Sequence, residues 1–288
     1  MTIICDVCPR NCRLEEDGQT GFCNVRKNVN GENVDVLYGT VDYDAPRFAP
    51  VMMALFPGCN LRCPFCYCRY LSKREPDISE FREMSPLRLV QVIVMYRLRG
   101  IFLLAAEPAL HREYVTDVAQ LCRKVGLETT LLTSGYLNPW LAENLAGSMS
   151  TITVGIKASG NREVYHHMNA DPLLCLENAR LFWRAGKLDG IQNLIGPGLE
   201  TPEDDLKFAR WLSTNISPDV PVKLIPLVKS FTIRAKPSDD QIYVESEQDT
   251  RKRILGATAR LREGGLTNVF SNEAMFSKEM MLYGMFNV

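Results

Sequence analysis

Three cysteines spaced C-x3-C-x2-C, Cys59, Cys63 and Cys66, constrain this chain more than any other feature. They stand in FPGCNLRCPFCYCRY (56–70), a turn-prone stretch with Gly58, Asn60 and Pro64 beside them. An apolar run, VMMALF at 51–56, leads in. Cysteine thiolates are the usual ligands of iron–sulfur clusters, and these three can reach one face of a four-iron cube. Three ligands for four irons leave one iron open, a place to bind and act on a substrate. A zinc site that adds Cys68, as C-x3-C-x2-C-x-C, is the competing reading. Zinc sites favour paired C-x2-C arms, and nothing downstream supplies the second.

Four further cysteines fall within the first 23 residues: Cys5, Cys8, Cys12 and Cys23. Pro9, Gly18, Gly21 and Asn24 make this segment rich in turns, and it holds almost no apolar side chains. Such a segment cannot bury enough surface to fold alone. A metal on four thiolates would supply the missing stability. The expectation is a closed four-ligand site, with zinc and a second iron–sulfur cluster equally compatible with the spacing.

Composition removes several function classes. Lys plus Arg is 33 and Asp plus Glu 34, so there is no charge argument for nucleic acid or a membrane surface. No apolar run is long enough to span a bilayer. The start, MTIICDVCPR, has neither the apolar core nor the small-residue site of a signal peptide. Ten cysteines without such a signal point to a reducing compartment, the cytoplasm, and to metal or cluster binding rather than disulfides.

Beyond the cysteine loop, β-rich apolar runs alternate with helix-length segments. The runs lie at 51–56, 101–105, 127–133, 151–157, 190–195 and 222–228. This alternation predicts parallel βαβ units. In the helix predicted at 112–125, Tyr114, Val115, Val118, Leu121, Cys122 and Val125 share one face. Ser85-Pro86 and Thr201-Pro202 mark helix starts, each with a hydroxyl at the N-cap and proline at the first helical position. The fold expected is α/β: a partial (βα)6 TIM-type barrel at 51–230, with its site at the C-terminal strand ends. A Cys-rich metal-binding head with its connector, 1–50, precedes it, and a C-terminal extension, 231–288, follows. A helix near 248–263 and a strand-like TNVFS at 267–271 belong to that extension. The methionine-rich end, 273–288, suits either a partner surface or a tail packed on the barrel's open edge.

C-x3-C-x2-C after a first strand, with an aromatic (Phe65) before the last cysteine, resembles the signature of radical SAM enzymes. The head, with C-x2-C-P-R-x-C and then G-x-C-x-V-R, is similar to the AmmeMemoRadiSam-system branch, relatives of pyruvate formate-lyase activating enzyme. The resemblance implies a 4Fe–4S cluster on Cys59, Cys63 and Cys66, with S-adenosylmethionine (SAM) on the open iron. It implies reductive cleavage of SAM to a 5′-deoxyadenosyl radical that abstracts hydrogen from a protein, peptide or small-molecule substrate. It also implies an electron donor such as flavodoxin or ferredoxin.

Further motifs carry the resemblance along the chain. AAEP at 105–108 resembles the family's GGEP, with Glu107 at the acidic position and Ala105 and Ala106 where glycines stand. TSGY at 133–136 is similar to T-N-G, which assigns Thr133 and Ser134 to SAM; a turn closed by Gly135 explains the same residues. GIKAS at 155–159 resembles D-x-K of the activating enzymes, with Lys157 at a strand end and Gly155 in place of the aspartate. The loop 194–205 resembles I-P-G-x-N-D, and Gln192 precedes it on the strand. His166 and His167, adjacent on a helix, diverge and read as surface residues. The rival from another class is a non-catalytic iron–sulfur or zinc protein, a scaffold or electron carrier.

Overall fold

The structure, a computed structural model, describes residues 2–15, 19–27, 39–41, 51–66, 68–72, 84–227 and 246–271. The head contains four two-residue strands in two antiparallel pairs. β1 (Ile3–Ile4) pairs with β2 (Arg13–Leu14), and β3 (Gln19–Thr20) with β4 (Arg26–Lys27).

An eight-stranded sheet follows. Seven strands run parallel in sequence order: β6 (Val51–Leu55), β7 (Gly100–Leu104), β8 (Glu128–Thr133), β9 (Thr151–Lys157), β10 (Leu188–Ile195), β11 (Val222–Pro226) and β12 (Val269–Ser271). β5 (Gly39–Val41) is antiparallel to β6 at one edge. All six β-rich runs are strands, and TNVFS supplies a seventh parallel strand from the C-terminal segment. Among the described residues the sheet stays open, with β12 and β5 at its two edges. The interior strands are buried along their whole length in several cases, as parallel strands covered on both faces are.

Short α1 (Arg69–Ser72) follows the cysteine loop, and α2 (Pro86–Met95) leads to β7. The remaining crossovers are α3 (Arg112–Lys124), α4 (Pro139–Ser148), the pair α5 (Arg162–His167) and α6 (Pro172–Arg184), α7 (Pro202–Asn215) and α8 (Glu247–Glu263). The two proline-marked starts form as their sequences dictate. Ser85 Oγ accepts from Arg88 N, and Thr201 with Asp204 closes a reciprocal capping box. On α3, Tyr114, Val115, Val118 and Cys122 are buried, whereas Val125 lies past the helix end and is exposed. The main core fills the space between sheet and helices and takes in Val7, Cys23 and Val25 from the head. A smaller cluster, Met53, Cys68, Leu71, Phe102, Leu104 and Ala105, lies beside it. Most of the connector before β6, the segment after β11 and the methionine-rich end lie outside the described residues.

Candidate active site

The cysteine loop sits at the C-terminal end of β6 because its backbone is pinned from three sides. Gly58 N donates to Leu71 O at 2.9 Å, and Cys59 N donates to Cys23 O at 2.9 Å. Glu107 N donates to Gly58 O at 3.1 Å. Beneath the loop, buried His111 bonds Pro57 O through Nε2 at 2.8 Å and packs its ring on Phe56. Gly58 has φ +82°, a left-handed conformation that glycine adopts freely.

Cys59, Cys63 and Cys66 line one cleft enclosing about 800 Å³ of empty space, part of it open to solvent. Ala105 and Ala106 line it from the end of β7, and Thr133 and Ser134 from β8. Gly155 and Lys157 line it from β9, and Gln192 from β10. Nine of the ten residues assigned to the site thus share a single cavity, at the C-terminal strand ends where parallel α/β folds bind ligands.

Glu107 is the exception. Its carboxylate is fully buried and is absent from the cleft lining. Oε2 accepts from Ser134 N at 2.8 Å and Ser134 Oγ at 2.6 Å, while Oε1 accepts from Ala109 N at 3.3 Å. Burial raises its pKa, and these hydrogen bonds oppose the rise. In this arrangement Glu107 braces the ends of β7 and β8 against each other.

The alanines of AAEP carry the backbone that the motif demands. Ala105 has φ +66° and Ala106 φ +46°. Each such residue costs an L-amino acid about 1–2 kcal/mol relative to glycine. Strain of this kind persists where the surroundings over-determine it. A second left-handed run, Ala158 (φ +51°), Ser159 (φ +49°) and Gly160 (φ +71°), follows Lys157. A buried polar chain holds it. Ser159 N donates to Asn193 Oδ1 at 3.0 Å, and Asn193 Nδ2 donates to Ser159 Oγ at 2.9 Å. Ser159 Oγ donates to Asp205 Oδ1 at 2.5 Å, and Arg260 donates to Asp205 Oδ2 at 2.8 Å through Nε. Nothing in the sequence singled out Ser159, Asn193, Asp205 or Arg260, which lie 46 positions or more apart across the last two links of the chain.

Gly155, the departure from D-x-K, has a spatial reason. Lys157 folds back so that Nζ donates to Gly155 O at 3.0 Å. A Cβ on residue 155 would stand 2.8 Å from Nζ. The lysine head occupies the room an aspartate side chain would take. His166 and His167 are exposed on α5, ring centroids 6.2 Å apart and steeply inclined, outside the cleft.

Cys59 and Cys63 sit in a hostile setting for unassisted ionisation. Burial lifts Cys59 far above the ordinary thiol range, with Glu107, Cys63 and Cys66 adding to it. Cys63 is pushed up to about 12 by burial and then by Cys66, against the pull of Lys157. Thiolates here need a cation beside them, which iron provides. Among the described residues no group of three or more His, Cys, Asp or Glu is drawn together for a single metal ion. A cluster meets its ligands at separate corners, so a wider set of free thiols around one cleft fits a cube. Cys68 and Phe65, both noted in the sequence, also line the cleft, and so do Leu61, Leu132, Leu194 and Ile225, which sequence reasoning left out. For Leu132, Leu194 and Ile225 the signal was the period of two along β8, β10 and β11, which puts them on the face of Gln192; Leu61 lies in the cysteine loop itself.

The radical SAM superfamily profile matches residues 53–171, the span from β6 through α5 that holds the three cysteines, AAEP, TSGY and Lys157. Those residues form a radical SAM domain. That superfamily is one of enzymes. MJ0808 of Methanocaldococcus jannaschii, an uncharacterized protein, is 30% identical over 219 residues, covering 71% of this chain and 64% of that protein. Pyruvate formate-lyase 1-activating enzyme of Escherichia coli is 30% identical over 105 residues, 34% of this chain and 39% of the relative. The chain therefore spans less than two thirds of either relative. The fold is similar to SuiB of Streptococcus suis bound to SAM, with TM-score 0.56 and 14% identity over 83% of this chain and 54% of SuiB. It is also similar to QueE of Escherichia coli, with TM-score 0.50 and 14% identity over 82% of this chain and 94% of QueE.

Proposed function

We propose that this radical SAM chain reductively cleaves SAM in the cleft and uses the product to abstract hydrogen from a substrate. The observation that carries the reading is the convergence of the three-cysteine loop with four successive strand ends on one cavity. When bound, a 4Fe–4S cluster supplies one electron to SAM, whose 5′-deoxyadenosyl fragment becomes the hydrogen-abstracting radical.

The chain's own residues bind, orient and shield. Cys59, Cys63 and Cys66 would hold the cluster at the mouth of β6, beside the cleft that would take SAM. The left-handed backbone at Ala105 and Ala106 exposes peptide groups to the methionine end of SAM. Glu107 does not reach that end directly; it fixes Ser134, which lines the cleft together with its neighbour Thr133. Lys157 offers an ammonium donor to the SAM carboxylate when it leaves Gly155 O. Gln192 donates and accepts on the wall away from the cysteines. Leu132, Leu194 and Ile225 add apolar surface at the strand ends, and Phe65 adds it from the cysteine loop. Water exclusion protects a reactive radical from side reactions.

The partial likeness to an activating enzyme supports a protein or peptide substrate, including a glycyl-radical activase role; a small molecule fits the same cleft. A one-electron donor of the flavodoxin or ferredoxin class completes the reaction. The four head cysteines hold a second metal. No helix among the described residues is long and apolar enough to cross a membrane, and with ten free cysteines we place the reaction in the cytoplasm.

The test is anaerobic reconstitution with iron and sulfide, then assay of 5′-deoxyadenosine after dithionite and SAM. Wild type forms it, and the Cys59→Ala/Cys63→Ala/Cys66→Ala variant does not. A reduced, cluster-loaded wild type that forms none would leave the scaffold or electron-carrier reading in its place.

A further inference from the structure

We propose that the head is a metal-tightened clamp on the cysteine loop: a thiophilic metal centre on Cys5, Cys8, Cys12 and Cys23 fixes the backbone that carries Cys59. This rests on the reading of the head as a metal site. Two sets of contacts lead to it.

The first set gathers the thiols. All four cysteines line one cavity of about 350 Å³, separate from the SAM cleft and closed on one side by Leu110 of the barrel. None is in a disulfide. Gly21 lies against Cys12, where a Cβ would stand 3.0 Å from Sγ. Phe22 N donates to Cys12 Sγ at 3.4 Å, the kind of amide–sulfur contact that supports a thiolate. The single-ion geometry missing here is missing equally at Cys59, Cys63 and Cys66.

The second set joins that cavity to the loop. Cys23 O accepts from Cys59 N at 2.9 Å, so one hydrogen bond separates a head ligand from a loop ligand. A Cβ on Gly58 would stand 2.7 Å from Cys23 O and 2.5 Å from Val25 Cγ2, so the two backbones are in direct apposition. Arg10 donates to Asn60 O at 2.8 Å, and Arg62 donates to Phe22 O. Residues 58, 59, 60 and 62 thus each touch the head. The head buries only a few apolar residues, chiefly Val7, Leu14 and Val25. That is too little to hold the loop without a metal.

The experiment uses the full chain as the Cys59→Ala/Cys63→Ala/Cys66→Ala variant, which leaves the head as the four-cysteine set. It is loaded separately with zinc and with iron plus sulfide, desalted, and its metal counted. Amide hydrogen exchange at residues 58–62 is then compared between loaded and chelator-stripped protein, with strands β8–β10 as the internal reference. The expected result is retention of either one zinc or one cluster's iron per chain. Loading is expected to slow exchange at residue 59 by about tenfold or more, with β8–β10 unchanged. No retained metal from either loading overturns the head reading itself. Retained metal with unchanged exchange at residue 59 overturns the clamp alone. Equal loss of protection across β8–β10 on stripping overturns it too, since the metal would then serve general stability. The Cys8→Ser/Cys23→Ser variant in the wild-type loop gives a second readout. The clamp requires an altered electron paramagnetic resonance spectrum of the reduced loop cluster, and an unchanged spectrum overturns it.

Discussion

Asp205→Ala tests whether the turn after Lys157 is held from outside the cleft. Asp205 has no exposed side-chain surface and bonds both Ser159 Oγ and the Arg260 guanidinium. Removing one partner of a buried ion pair costs about 3–5 kcal/mol. Arg260 keeps 25% of its side-chain surface exposed and can recover hydration, so the lower end, about 3 kcal/mol, is expected. Asp205→Asn preserves shape and an acceptor, and a loss of about 1–2 kcal/mol is expected for exchanging a charged for a neutral hydrogen bond. The functional consequence follows from backbone strain. Ala158 and Ser159 stay left-handed only while Asn193 and Asp205 grip Ser159. When the grip fails, Lys157 loses its fixed approach to the cleft. The KM for SAM in 5′-deoxyadenosine formation is expected to rise about tenfold, equivalent to about 1.4 kcal/mol, with kcat moving less. Urea denaturation gives the stability change, and initial rates at saturating dithionite give the kinetic split. Arg260→Lys should restore part of the stability that Arg260→Met loses. A stability loss near 3 kcal/mol with an unchanged KM would refute the link between this network and the site.

Three other perturbations follow from single observations. Lys223, 4% exposed on β11, has its pKa lowered by burial to about 8, against 10.5 when unfolded. The unfolded chain therefore binds the extra proton between these values, and wild-type stability should rise from pH 8 to 10.5 by up to about 3 kcal/mol relative to Lys223→Met; parallel urea midpoints across that range would dismiss the idea. Gly58→Ala must place a methyl against Cys23 O at φ +82°, and about 2–4 kcal/mol of lost stability is expected from strain and overpacking together; a change under 1 kcal/mol in thermal or urea unfolding would mean that head and loop are not in contact in solution. Gly155→Ala should drive Lys157 Nζ off Gly155 O while leaving the fold intact, freeing the ammonium for the SAM carboxylate and lowering KM for SAM severalfold; an unchanged KM would show that the ammonium's resting place does not matter.

Much of this fold is legible because local chemistry and global placement agree. Each β-rich run is a strand, and both proline-marked starts cap helices, since the same residues that favour these elements alone are the ones the sheet buries. The site was legible for the same reason: motif residues at successive strand ends must meet if the strands are parallel and adjacent. Glu107 shows where that logic stops. Its position at a strand end was readable, but its direction was not. Three donors from Ser134 and Ala109 draw the carboxylate inward; Ala109 N is a local capping donor, but the two from Ser134 become neighbours only when β7 and β8 pair. The Ser159–Asn193–Asp205–Arg260 chain fails to show in the sequence on the same ground. Each residue alone reads as a turn former or a solvated helix residue, and no short spacing marks them. Gly155 carries the argument furthest. As a sequence it is a missing acid, a weakness in the match. In the structure it is the space in which Lys157 rests, so the loss of the aspartate and the posture of the lysine are one change rather than two.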